Sequence, residues 1–276
     1  MRMEDELIED ALTPFERTSL ECLSSVALLR RFDSKFVVPA AWIPEILVGL
    51  QGDCQLLEVE GKWNTRYDNL YFESPGDACL VDHLRGKGHR FKIRSRSYST
   101  SGVTFLEVKE RMHNGRTIKH RLQRSAQATW SAHPFTAEEQ QFLTASLPDN
   151  ELLTPALQNS FDRITLANFE RGERITIDRN LEFEDASGRR SGLKGLAVIE
   201  LKQPRKTRST PLHNLLKSWS HGVHRQGVLG RSTRVSKYTV ARLRCDPDLR
   251  RRTYGATLRG LERAVVDCER LSSAGK

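Results

Sequence analysis

The stretch His89-Arg90-Phe91-Lys92-Ile93-Arg94-Ser95-Arg96 alternates basic side chains with apolar or small ones at a period of two. Successive side chains of a β-strand point to opposite faces of the sheet. One face of this predicted strand therefore carries only basic residues, namely Arg90, Lys92, Arg94 and Arg96. The other face carries Phe91 and Ile93, which suit a hydrophobic core.

Three further segments repeat the alternation: residues 105–111 (FLEVKER), 174–178 (RITID) and 199–202 (IELK). In the first of them, Glu107, Lys109 and Arg111 share one face. Like charges that lie side by side on neighbouring strands repel each other and destabilise a sheet. Because basic residues outnumber acidic ones on these faces, the pattern predicts a highly charged anionic ligand.

The chain as a whole is also basic. Its 276 residues carry a formal net charge of +9, and this length suits one large domain or two small ones. A positive balance predicts an anionic partner: a phosphate compound, a nucleic acid or a membrane surface.

The apolar runs, the first residues and the cysteines indicate where in the cell the protein is located. No apolar run approaches the roughly 20 residues that span a bilayer, and the acidic residues 1–6 lack the apolar core of a signal peptide. The five cysteines are widely spaced and form no C-x-x-C pair: Cys22, Cys54, Cys79, Cys245 and Cys268. A reducing, cytoplasmic location is the simplest interpretation.

Antiparallel connections dominate the predicted elements. The turn at residues 99–102 and the dipeptide Asn114-Gly115 join three successive strands into a meander. Further strands are predicted at residues 32–38, 65–72, 161–169, 173–178 and 196–202. Helices are predicted at residues 4–30 with a break at Pro14, and at residues 40–50, 77–84, 136–146, 211–226 and 254–272.

Roughly eight strands with flanking helices predict an α+β protein. Closing the sheet into an eight-stranded antiparallel barrel would remove its edges and give the charged faces a shared interior. Burying so much charge is costly, so this interior must be wet or filled by an ionic ligand.

The order of the motifs resembles a known family. Arg31-x-Asp33-x-Lys35-Phe36 is followed by these segments in turn: 67–75 (YDNLYFESP), 92–98 (KIRSRSY), 105–109 (FLEVK), 119–121 (KHR), 174–178 (RITID), 198–202 (VIELK) and 236–238 (SKY). This succession is similar to the VTC domain, named for the vacuolar transporter chaperone complex. That domain is a polyphosphate polymerase within the CYTH-like superfamily of triphosphate tunnel enzymes.

The resemblance covers about residues 30–242, and each motif is expected on a strand or at a strand end. It implies an eight-stranded antiparallel tunnel with helices packed outside. Residues 30–245 are then the tunnel domain, residues 1–29 a helical segment that packs on it, and residues 246–276 a C-terminal helix.

The resemblance also implies a chemistry, in which the γ-phosphoryl group of ATP passes to a growing polyphosphate chain. Catalytic roles fall to Lys35, Arg94, Arg96, Lys109 and Lys237. Phosphate binding falls to Lys92, Lys119, Arg121, Arg163, Arg174 and Lys202. Glu200 is the chief expected metal ligand and Glu107 a second one, for Mn²⁺ or Mg²⁺.

This chemistry is physically reasonable for such residues. Phosphoryl transfer requires alignment and neutralisation of the non-bridging oxygens, and Arg and Lys supply bidentate and compact charges. Carboxylate oxygens suit a hard divalent cation. The acceptor is already an anionic phosphate oxygen, so no general base is assigned.

The first motif departs from the E-x-E-x-K pattern of the wider superfamily. Arg31 and the shorter Asp33 stand where two glutamates are usual. Fewer acids bind metal more weakly and favour phosphate, which favours a polymerase over a hydrolase. Asp33 remains a candidate metal ligand.

Purely structural roles remain possible for the same residues. Arg94, Arg96, Lys109 and Glu200 could form a solvated face with cross-strand ion pairs. Glu107 and Glu200 could simply neutralise their neighbours, and Lys202 is as readily structural as phosphate-binding. His221 and His224 fit a surface role better than a metal site, and Gly86-Lys87-Gly88 fits a turn better than a phosphate loop.

Two alternative functions remain. One is a tripolyphosphatase or nucleoside triphosphatase of the same fold, and the other is a non-catalytic module that binds polyphosphate or nucleic acid. Aromatic residues make up only 7% of the chain, and Phe91 and Phe105 are expected on the apolar side, which disfavours nucleic acid. The expected partners are therefore ATP and polyphosphate or triphosphate, with a membrane partner and the oligomeric state left open.

Overall fold

Eleven strands form one sheet in the part of the chain that the structure describes. This computed structural model describes residues 2–24, 32–125, 129–131, 134–148, 152–220, 232–233, 235–246, 249 and 254–274. The strands are β1 (Arg17–Thr18), β2 (Phe32–Pro39), β3 (Gln55–Leu57), β4 (Thr65–Glu73), β5 (Arg90–Tyr98), β6 (Thr104–Arg111), β7 (Thr117–Arg124), β8 (Thr154–Asn168), β9 (Glu173–Asp185), β10 (Arg190–Gly192) and β11 (Leu196–Gln203).

The helices surround this sheet. They are α1 (Arg2–Leu12), α2 (Leu20–Ser24), α3 (Ile43–Val48), α4 (Ala78–Leu84), α5 (Ala137–Ser146), α6 (Pro211–Ser220), α7 (Lys237–Cys245) and α8 (Gly255–Ala274). Thr136 caps α5 in a capping box with Glu139, as its sequence predicts. None of the described helices is long and apolar enough to cross a membrane.

Eight strands follow one another in the order β2-β11-β9-β8-β4-β5-β6-β7, and each neighbouring pair is antiparallel. The α+β class and the eight-stranded antiparallel path are therefore confirmed. Among the described residues, β2 and β7 form no ladder with each other, so the sheet remains open. Residues 232–233 partly cover the free edge of β2, where the amide of Thr233 donates to the carbonyl of Lys35 at 2.8 Å.

One face of the sheet is apolar because it carries the alternate residues of the charged strands. Phe36, Ile177 and Ile199 pack there against α1, α3 and α6. Ile93 and Leu106 pack on the same face against Leu143 of α5 and its neighbours. Burial of these side chains supplies the main stabilisation of the fold.

The opposite face curls around on itself. Lys35 of β2 donates from Nζ to the carbonyl of Val235 at 3.1 Å, and Lys92 of β5 donates from Nζ to Oγ of Ser236 at 2.8 Å. β2 and β5, which are first and sixth in the eight-strand order, thus both contact the consecutive residues Val235 and Ser236. The charged face is therefore concave, and this face is called the inner face below.

Helix α7 covers one end of the inner face. Val37 and Val198 lie two residues from Lys35 and Glu200, on the same face of β2 and β11, and they pack there with Tyr238 and Val240 of α7 and with α8. The motif Ser236-Lys237-Tyr238, expected on a strand or strand end, instead forms the N-cap and first turn of α7. Tertiary contacts with the inner face outweigh the strand-like pattern of this segment.

Other differences from the expected elements are local. β8 begins at Thr154 and β9 extends to Asp185, so both strands are longer than predicted. The loop at Asn114-Gly115 has three residues, because Met112 donates to the carbonyl of Arg116 at 2.8 Å and Gly115 adopts a positive φ of 80°. Arg31, His221 and His224, discussed above, lie outside the described residues, as do the three arginines at 250–252.

A buried acid anchors α7 to β4. The hydroxyl of Tyr238 donates to the carboxyl group of Glu73, and the ring of Tyr238 stacks on Tyr71 with centroids 4.6 Å apart. Arg242 pairs with Asp77 at 2.6 Å. Burial raises the pKa of Glu73 from 4.5 to about 7.

This acid makes the stability of the fold depend on pH. The folded protein holds the proton of Glu73 more tightly than the unfolded chain, so the contribution is complete below pH 4.5 and is lost as the pH rises through 7. Glu73→Gln, which mimics the protonated form, should reduce the fall in unfolding free energy between these values by roughly 2–3 kcal/mol. Urea unfolding at a series of pH values measures this, with Glu184→Gln as control. A profile identical to the wild type would contradict the assignment.

Candidate active site

Basic side chains from across the sheet converge on the inner face. Their strand positions follow from the antiparallel register, and Lys237 joins them from α7. These residues are called the basic lining: Lys35, Lys92, Arg94, Arg96, Lys109, Lys119, Arg121, Arg163, Arg174, Lys202 and Lys237. The structure thus brings together all the basic residues that the resemblance singled out, and both predicted metal ligands lie among them.

The lining is layered along β5, β6 and β7. Arg94 lies opposite Glu107, which lies opposite Arg121. One layer nearer α7, Lys92, Lys109 and Lys119 lie side by side. Layers on one face of a sheet are about 7 Å apart, because they repeat every two residues.

Glu107 is buried between two basic residues. Arg94 donates from Nε and Nη2 to one carboxylate oxygen at 2.8 and 2.6 Å, and Lys119 pairs with the other oxygen. Arg94 also donates to the hydroxyl of Tyr71 at 3.2 Å. Although burial opposes ionisation, the charges of Arg94, Arg96 and Lys119 hold the pKa of Glu107 far below its usual range.

Asp178 of β9 is likewise buried between two basic residues, on the other side of the inner face. It is fully buried and accepts from Arg163 at 2.5 and 2.8 Å, and Lys237 of α7 also pairs with it. Against the effect of burial, these two cations lower the pKa of Asp178 to about 2. Sequence reasoning assigned no role to Asp178, because the ion pair with Arg163 depends on β8 and β9 being neighbours.

Glu200 has a less enclosed environment. Its only described ion pair is with Lys202, at 2.7 Å, and 15% of its side chain is exposed, against 2% for Glu107. Burial opposes ionisation, yet Lys202, Lys35 and Lys237 hold the pKa of Glu200 well below its usual value. Burial lowers the pKa of Lys202 to about 8.

Positive charge remains in excess after these pairs form. Burial, together with Lys35 and Lys109, lowers the pKa of Lys92 well below its usual value. Burial and Lys35 also lower the pKa of Lys109, although its side chain reaches solvent. The inner face therefore holds repelling cations that an anionic ligand would relieve.

Uncharged residues orient the arginines. Arg96 donates from Nε to Oδ1 of Asn69 at 2.7 Å, and Asn69 donates to Oδ1 of Asn159 at 2.9 Å. Asn69 and Asn159 thus hold Arg96 in position, as the hydroxyl of Tyr71 does for Arg94.

One sequence prediction about this face is wrong. Phe105 was expected on the apolar side, but it lies opposite Arg96 and Gln123 on the inner face. Its position follows from the period of two, since it is two residues before Glu107.

The family model of the VTC domain matches residues 30–245. The chain belongs to the VTC domain family. No curated protein matches its sequence. The match ends near the C-terminus of α7, so the VTC domain of this chain includes the helix that supplies Lys237.

Solved structures with similar folds have low sequence identity. A Bacillus halodurans protein provisionally assigned as an adenylate cyclase has a TM-score of 0.43 and 16% identity, covering 69% of this chain and 89% of its own. The Hippeastrum protein HpAC1, a candidate adenylyl cyclase with a dominant triphosphatase activity, has a TM-score of 0.41 and 13% identity, covering 77% and 95%.

The VTC domain offers single carboxylates for a metal ion. Within the described residues, no group of three or more His, Cys, Asp or Glu side chains could hold one. Asp33 and Glu200 share the inner face on neighbouring strands, since Lys202 lies opposite Asp33 and Glu200 opposite Lys35. These oxygen donors fit a divalent cation whose remaining ligands come from phosphate groups.

Asp178→Asn should destabilise the VTC domain by about 3–5 kcal/mol, because Arg163 and Lys237 would remain buried without their carboxylate. Chemical denaturation measures the loss. Excess tripolyphosphate should recover part of it by binding the freed cations.

Glu182→Gln is the matched control, since it removes an ion pair with Arg66 at 2.8 Å from a side chain that is 69% exposed. This change should cost less than about 1 kcal/mol. Equal effects of the two substitutions would disprove the buried role of Asp178.

Proposed function

We propose that this VTC domain is a metal-dependent polyphosphate polymerase, which transfers the γ-phosphoryl group of ATP to the end of a polyphosphate chain. The observation that carries the proposal is the basic lining, in which Lys92 lies among Lys35, Lys109 and Arg94, and no carboxylate of the described residues pairs with it. Membership of the VTC domain family supports the same conclusion.

A chain of phosphates suits this site because each unit brings negative charge. Arg94 and Arg163 each use Nε and Nη2 to hold a carboxylate, and the remaining N–H groups of each guanidinium can donate to phosphate. The lysines provide single charges that can follow phosphates at different positions. Enclosure by protein strengthens these interactions over their value in water. The lining thus neutralises the oxygens around the transferred phosphorus, which is the principal requirement of phosphoryl transfer.

The transfer step needs no proton acceptor. A terminal oxygen of the polyphosphate chain forms a bond to the γ-phosphorus of ATP, the bond from that phosphorus to the bridging oxygen breaks, and ADP leaves with the electron pair. Because the attacking oxygen is already anionic, no side chain must remove a proton. The basic lining aligns the two anions, whose repulsion would otherwise keep them apart.

Glu200, with Asp33 beside it, is the proposed place for Mn²⁺ or Mg²⁺. When bound, such an ion would screen charge on the phosphates. Glu107 was the second metal candidate, but it already pairs with Arg94 and Lys119. We assign it to holding these residues in place.

The deciding experiment incubates the purified protein with ATP and manganese or magnesium, and separates the products by length on a gel stained for polyphosphate. We expect a ladder of long chains with a matching amount of ADP. Free phosphate without chains would instead identify a triphosphatase. Bound polyphosphate without either product would identify a binding module.

Two substitutions test the roles of individual residues. Glu200→Gln should abolish metal-dependent turnover while tripolyphosphate still binds, because the lining keeps its cations. Arg94→Ala should raise the ATP concentration required and slow transfer by at least tenfold, the equivalent of about 1.4 kcal/mol, since a charged hydrogen bond is worth about that much or more.

Each substitution has a matched control on the surface. Glu184 and Arg190 pair with each other at 3.0 Å, and the Arg190 side chain is 80% exposed. Glu184→Gln and Arg190→Ala should leave turnover unchanged. If Arg94→Ala behaves like Arg190→Ala, the assignment of that strand to the site is wrong.

A further inference from the structure

Four aromatic rings form a continuous arc on the inner face, beside the basic lining. Tyr67 stacks on Phe161 with centroids 5.3 Å apart and meets Tyr98 edge-on at 4.9 Å. Tyr98 in turn meets Phe105 edge-on at 6.2 Å. The arc, called the aromatic arc below, crosses from β8 through β4 and β5 to β6.

Guanidinium groups lie over this arc. Arg163 and Arg96 lie 4.7 and 5.2 Å from the centroid of Tyr67, and Arg121 lies 4.9 Å from that of Phe105. Aromatic faces beside arginines are the surfaces on which proteins stack planar bases. An inorganic phosphate chain has no planar group that could stack on such a surface.

The two ends of the arc differ in access. Phe161 is 2% exposed, and Tyr67 is covered by Phe161 and by two arginines. Tyr98 and Phe105 are partly exposed and Arg121 is exposed. Among the described residues, no carboxylate forms an ion pair with Arg121, so its guanidinium can change position.

The arc lies at a set distance from the lysines. Along β5 the inner face presents Lys92, Arg94, Arg96 and Tyr98 in order, and Phe105 lies opposite Arg96. Two layers therefore separate the Lys92 layer from Phe105, about 14 Å at 7 Å per layer. An extended nucleoside triphosphate spans such a gap, with its terminal phosphate near Lys92 and its base near Phe105.

We propose that Tyr98, Phe105 and Arg121 form a stacking subsite for the base of the phosphoryl donor, so that this site binds nucleoside triphosphates better than inorganic triphosphate. The proposal rests on the proposed function for the identity of the donor. It adds the residues that recognise the base. The nucleotide and the inorganic chain both carry phosphates, so only the base distinguishes them.

Binding measured without turnover tests this subsite. Isothermal titration calorimetry of the full chain, in buffer with EDTA and without divalent metal, compares ATP with inorganic tripolyphosphate. Phe105→Leu should weaken ATP binding by about tenfold, the equivalent of 1.4 kcal/mol and within the range for a stacked base. Its affinity for tripolyphosphate should change by less than about twofold.

Further variants separate stacking from packing. Phe105→Tyr keeps an aromatic face and should retain the affinity for ATP. Tyr98→Leu should also weaken the binding of ATP and not that of tripolyphosphate. It provides the test if Phe105→Leu does not fold. Phe91→Leu is the matched control, since Phe91 packs on the opposite face of the same hairpin and should affect neither ligand.

The proposal is overturned if Phe105→Leu and Tyr98→Leu weaken both ligands equally, because the rings would then only position the arginines. It is also overturned if neither ligand is affected. Retained tripolyphosphate binding shows that a variant is folded. Since no turnover is needed, a protein that makes no polyphosphate can still confirm the subsite, and a polymerase can still lack it.

Discussion

Repulsion among the cations of the inner face is the constraint on which the rest of the structure depends. A sheet that places lysines side by side, such as Lys92 and Lys109, loses stability unless something offsets the charge. In the part of the chain that the structure describes, three buried or nearly buried carboxylates offset it: Glu107, Asp178 and Glu200. These neutralise part of the charge, and the positive charge that remains favours an anionic ligand.

The outer face of the sheet stabilises the fold, and the inner face carries the charged residues. The alternation that exposes the cations to the inner face also places Phe36, Ile93 and Ile199 on the outer face, under the helices. The outer face therefore offsets the cost of the inner one. Helix α7 then completes the inner face, because the two residues before it, Val235 and Ser236, accept from Lys35 and Lys92. Its own Lys237 pairs with Asp178.

Much of this could be predicted from the sequence because the decisive signal is local. A period of two assigns Arg94 and Glu107 to one face without knowledge of any contact. The order of the strands cannot be predicted in this way, because it depends on contacts between residues that are far apart in the chain. The pairing of Arg163 with Asp178 and the position of Lys237 on a helix depend on that order. The segment of α7 alternates Tyr238 and Val240 with small residues, which resembles a strand until packing on the inner face is known.

The accessible carboxylate is the one best placed to change partners. Glu107 and Asp178 each pair with two cations and are almost fully enclosed, so releasing either would leave buried charges unpaired. Among the described residues, Glu200 pairs only with Lys202, and its side chain keeps contact with solvent. Under the proposed function, phosphates would take over the charge of Lys202 and leave Glu200 to a metal ion. The carboxylates thus differ in role because of their surroundings, although two of them are the same residue type in the same E-x-K pattern.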